Sequence, residues 1–78
     1  MNRAKRKELS RAINLIIDAE DIILSIAEAE EEAYENLPEG IQDSERGDAF
    51  TEASDALYEQ AEALEDVREE IGELVRGN

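Results

Sequence analysis

The sequence predicts an all-α protein: an antiparallel two-helix hairpin, coiled-coil-like, that assembles into a four-helix bundle dimer. Three observations carry this. Two long stretches rich in Ala, Glu, Leu and Ile are separated once, by NLPEGIQDSERG at residues 36 to 47, which holds the only proline. The second stretch repeats its apolar residues every seven positions, the period of left-handed helix packing. The first stretch carries more apolar circumference than one partner helix can cover. At 78 residues the chain is one domain at most, residues 1–78.

The first helix is expected over about residues 4 to 36, a span with neither Pro nor Gly and dominated by the best helix formers. At 100° per residue, Leu9, Ala12, Ile16, Ala19, Ile23, Ile26, Ala27, Ala33 and Tyr34 share one face. Leu15 and Ile22 widen it on one side; Ile13, Ile17 and Leu24 widen it on the other.

The loop, about residues 37 to 44, reads as a bend. Pro38 disfavours helical geometry at Leu37 and so ends the first helix. Gly40 offers the left-handed conformation that a reversal often uses. Asp43 and Ser44 are both good N-cap residues, and Glu45 then lies where the helix dipole favours an acid. Leu37 and Ile41 are placed to plug the closed end against Phe50.

The second helix is expected over about residues 45 to 76. Phe50, Leu57, Leu64 and Ile71 recur every seven, with Ala53, Val67 and Leu74 between them. Ala49, Ala56 and Ala63 lie beside this seam, where small side chains let a neighbour approach. Gly72 weakens the last turns by about 1 kcal/mol relative to Ala, so this end is expected to fray. The loop sets a register in which facing residue numbers total 80 or 81. That pairs Leu9 with Ile71, Ile13 with Val67, Ile16 with Leu64, Ile23 with Leu57 and Ala27 with Ala53, and puts Glu20 opposite Gln60 as a polar layer.

The net charge of −14 disfavours nucleic acid and anionic membrane as ligands, both being of like sign. It is unevenly spread: Arg3, Lys5, Arg6, Lys7 and Arg11 are five of the eight basic residues. In a hairpin this cluster would lie beside Glu65, Asp66, Glu69, Glu70 and Glu73, an electrostatic complement. A basic stretch is poorly placed at a helix N-terminus, which argues for residues 1 to 5 lying outside the helix. No apolar run approaches the roughly 18 residues of a membrane span. Glu8, Ser10, Asn14 and Asp18 interrupt anything like a secretory apolar region, so a cytoplasmic location is expected.

The chain has no histidine and no cysteine, which excludes Ser-His-Asp and Cys-His catalysis and any thiolate metal site. A di-iron bundle wants Glu-x-x-His, and the His is missing. Glu28, Glu31, Glu32 and Glu35 form i,i+4 pairs that read first as a solvated helix face. No Gly-rich phosphate loop is present, and DSERGD lacks the spacing of a calcium loop. The expectation is a non-enzymatic protein without a cofactor.

Asn36-Leu37-Pro38-Glu39, followed by Gln42-Asp43-Ser44-Glu45-Arg46, resembles a loop in small acidic helical proteins of bacterial phages and prophages. In those, a long charged helix leads into the loop and an Ala/Glu-rich helix follows. The resemblance implies a mobile-element setting, hence the cytoplasm of a host cell, and no mechanism.

Two functions follow. The first is a scaffolding or interaction hairpin that self-associates and docks a host or phage protein with a basic or apolar groove. The second is an acidic mimic of nucleic acid that inhibits a host nuclease or defence enzyme. For the first, Leu15, Ile17, Ile22, Leu24 and Ile26 are the interface residues expected to remain once Leu9, Ile13, Ile16 and Ile23 are used inside the hairpin. A small chain with one apolar seam and no disulfide is marginal alone, which points the same way.

Overall fold

The first helix begins earlier than its basic composition suggests because Asn2 caps it. The Asn2 side-chain oxygen accepts from the Lys5 backbone N–H at 2.8 Å, satisfying one of the donors that a helix start leaves free. The computed structural model describes residues 1–77. In it α1 runs Arg3–Glu35, α2 is a single turn over Glu39–Gln42, and α3 runs Glu45–Gly77. The expectation that residues 1 to 5 lie outside the helix is therefore corrected: the cap offsets the unfavourable charge.

The two long helices pack along one another as an antiparallel hairpin, a rod of 59 × 14 × 12 Å. Helix α3 continues through Gly72 to Gly77. Gly72 is buried there, and the Arg76 guanidinium lies over it. Among the described residues no helix is long and apolar enough to cross a membrane.

The reversal is built differently from expectation. Among the described residues no glycine and no other residue adopts a positive φ, so Gly40 supplies no left-handed turn. The chain instead inserts α2, which starts after Pro38, whose carbonyl accepts from the N–H groups of Ile41 (2.8 Å) and Gln42 (3.0 Å). Ser44 precedes α3, and its hydroxyl donates back to the Ile41 carbonyl rather than capping forward. Gln42 ties the bend together. Its Nε2 donates to the carbonyls of Tyr34 (3.2 Å), Glu35 (3.4 Å) and Leu37 (3.1 Å) around the end of α1, where the Tyr34 carbonyl also accepts from the Leu37 backbone N–H. The Gln42 backbone in turn presses against Gly47, where a side chain would collide. Leu37, Ile41 and Phe50 are each half-buried at this end.

The seam of α3 is only half of the one the heptad suggested. Phe50, Leu57, Leu64 and Ile71 do face inward, half-buried. Their companions are Gly47, Ser54, Ala61, Arg68 and Val75; of the expected ones Ala53 is half-buried, while Val67 and Leu74 are not in the seam. Val67 and Leu74 are exposed, as are Ala49, Ala56 and Ala63. Turning α3 this way puts a cation opposite Glu20. The Ser54 hydroxyl is satisfied within its own helix by the Thr51 carbonyl at 3.1 Å, so it sits in the seam without an unpaired donor. The pairing of Ile13 with Val67 is thereby lost.

The hairpin core is thin. Ala27 and Ala61 are the buried apolar side chains among the described residues, and no large side chain is fully enclosed.

Candidate interaction surface

The most constrained polar contact lies halfway along the rod. Glu20 is 7% exposed, and its Oε2 accepts from Arg68 Nε at 2.6 Å across the hairpin. Each side chain leans toward the N-terminus of its own helix. With Glu20 and Arg68 on antiparallel helices, the two lean toward each other and close the gap between their levels. The hydrogen bond to Glu20 holds the guanidinium above its already high ordinary value, against a smaller opposing effect of desolvation. The expected polar layer thus exists at Glu20, but its partner is Arg68; Gln60 is exposed.

A second cross-hairpin contact involves Tyr58. Partial burial pushes its phenol above the ordinary 10.0, and Glu31, by charge and by accepting the phenolic hydrogen bond, together with Glu28, pushes it further. Because the folded value is raised, the unfolded chain releases this proton first. The contribution is therefore intact below pH ~10 and is lost as pH rises through the folded value. Alkaline titration followed by phenolate absorbance should show a late-titrating component that Tyr58→Phe removes. A Tyr58 phenol titrating at its ordinary value would contradict the contact.

Two ion pairs form among the described residues: Glu20–Arg68, and the exposed Glu8–Arg11 at 3.2 Å. The amino-terminal basic cluster therefore does not pair closely with Glu65, Asp66, Glu69, Glu70 or Glu73. Arg6 instead is half-buried, its Nε without a hydrogen-bond partner. Glu28, Glu31, Glu32 and Glu35 do not gather: no group of three or more acids could hold a metal ion among the described residues.

The five residues expected at an interface divide. Leu15 (60% exposed), Ile22 (65%) and Ile26 (50%) stand in solvent. Ile17 and Leu24 are half-buried; by helical rotation they lie on the opposite flank of α1, about 60–80° from the inward line through Ala27. Sequence reasoning missed Val67 (45%) and Leu74 (53%), which join the exposed apolar set from α3. The signal available was the spacing of small residues: Gly47, Ser54 and Ala61 also recur every seven.

Fold and surface together define an all-α helical hairpin with an uncovered apolar flank. No protein family, curated protein or solved structure matches this chain.

Proposed function

We propose that this protein is a non-enzymatic interaction module, a helical hairpin that acts by docking its exposed apolar flank, in the mobile-element setting that its loop resemblance implies. The observation that supports it is the placement of Leu15, Ile22 and Ile26 in solvent on a chain of which 38% is charged. Several large aliphatic groups exposed in one region usually mark an interface. Burying each is worth roughly 1.5–3 kcal/mol, comparable to the whole stability of so small a hairpin. The thin core makes the same demand from inside.

Sedimentation of the wild type and of Ile22→Glu in moderate salt tests this. The wild type should run above monomer mass at tens of micromolar. Ile22→Glu should weaken association by about two orders of magnitude or more, since a two-fold interface meets each substitution twice. Raising salt should tighten the wild type, because each copy brings a charge of −14. A compact, stably folded wild-type monomer whose stability and solubility are untouched by Ile22→Glu would defeat the reading.

A further inference from the structure

The exposed apolar residues of the two helices share one broad side of the rod. Take Ala27 as the inward line of α1 and step 100° per residue. Leu15, Ile22 and Ile26 then lie about 100–140° round in one sense, with Ala12 and Ala19 between them and the seam. Take Ala61 as the inward line of α3. Val67 and Leu74 lie about 120–140° round in the same sense, with Ala49, Ala53, Ala56 and Gln60. In an antiparallel pair, equal senses lead to the same broad side. On α1 this strip carries no charge between Arg11 and Glu30, and on α3 none beyond Arg46. The open groove lined by Met1, Ala4, Lys5, Glu8 and Leu9 continues it at the amino-terminal end.

We propose that this composite side is covered by a second copy of the chain, with α1 of each copy lying over α3 of the other about a two-fold axis parallel to the rod. This rests on the interaction reading above and specifies its partner. The whole side, 59 Å long and 14 Å wide between Cα positions, projects to about 800 Å², the share one partner contributes to a standard stable interface, with the uncharged strip as its centre. Its relief is self-complementary. On this side α1 carries the larger share of large side chains, Leu15, Ile22 and Ile26, and α3 the larger share of small ones, Ala49, Ala53 and Ala56 beside Val67 and Leu74, so the α1 residues of one copy enter the hollows beside Ala53 and Ala56 of the other. Laying first helix on first helix would instead set Leu15, Ile22 and Ile26 against themselves. The proposed arrangement also keeps every neighbouring helix pair antiparallel, and it leaves the acidic flank, with Asp21, Glu28, Glu62 and Glu69, facing water on both copies.

The chain has no cysteine, so single cysteines report contacts cleanly. Purified Ile26→Cys and Ala56→Cys proteins are mixed, oxidised gently, and the cross-linked mass is read. The heterodimer should exceed the Ile26→Cys homodimer about tenfold. Leu15→Cys mixed with Val67→Cys gives an independent pair should Ala56→Cys fail to fold. Efficient cross-linking of Ile26→Cys with itself, and not with Ala56→Cys, would overturn the arrangement while leaving the interaction reading intact. A wild type that sediments as a monomer, with cross-linking no better than for Glu62→Cys on the acidic flank, would overturn both.

Discussion

Replacing Gly47 with alanine is expected to destabilise the hairpin by about 1–3 kcal/mol, although alanine is the better helix former by about 1 kcal/mol. Gly47 lies near the start of α3 in an ordinary helical conformation, so backbone freedom is not the reason for it. The reason is the neighbour. A methyl carbon there would meet the Gln42 carbonyl oxygen head-on and stand 2.6 Å from its carbonyl carbon and 2.9 Å from its Cα. All of these are backbone atoms, so α2 would have to lift away. Gln42 Nε2 would then draw off the carbonyls of Tyr34, Glu35 and Leu37 that it now satisfies. Gly72 makes the internal comparison. A methyl carbon there meets only the flexible end of Arg76, at 3.1 Å from Nη1, and Gly72→Ala is expected to gain up to about 1 kcal/mol. Urea unfolding followed by circular dichroism reads both. A Gly47→Ala variant as stable as the wild type would show that the bend does not need this close approach.

Arg68→Ala is expected to lower the unfolding temperature far more than Arg11→Ala. Both remove an arginine from an ion pair with a glutamate. The Glu8–Arg11 pair is exposed on both sides and contributes little. Removing Arg68 leaves the Glu20 carboxylate, 9% exposed, without its cation. Replacing both, as Glu20→Leu with Arg68→Leu, should recover much or all of the loss, because a buried pair repays its desolvation poorly against well-packed aliphatic groups. What the double variant should lose is uniqueness of register. Thermal unfolding of Glu20→Leu, Arg68→Leu and the double variant closes the cycle. Additive losses would mean that the pair is not coupled in solution.

The same pair shows how far the sequence can be read. The two helices, the bend and the row Phe50, Leu57, Leu64, Ile71 are legible, because long periodic segments and a lone proline are strong signals. The second row of the α3 seam is not. Periodicity alone ranks Val67 and Leu74 above Arg68, since it sees hydrophobicity and not the partner. Only with α1 in place does Glu20 appear as a buried charge that needs a cation, and then Arg68 belongs inside. That exchange pushes Val67 and Leu74 out to join Leu15, Ile22 and Ile26, so the candidate surface is half legible. The bend is legible as a bend, but its devices are not. Gly40 suggests backbone freedom and Ser44 suggests forward capping, while Gln42, a residue with no turn signature, holds the end of α1.

The sequence separation of Glu20 and Arg68, 48 residues, has a kinetic consequence. Closing the chain at that span is entropically dearer than closing it at the bend, where Gln42 reaches Tyr34 across only eight positions. Assembly is therefore expected to start at the Pro38–Gly47 end and zip toward the termini, with the ion pair forming after the barrier. Substitutions at Glu20 or Arg68 should then steepen escape from the native state, raising the unfolding limb of a chevron while the folding limb stays nearly fixed. Gly47→Ala should do the reverse and slow folding itself. In such a hairpin the polar clasp midway along the rod governs how long the folded state lasts, and the bend governs how quickly it is reached.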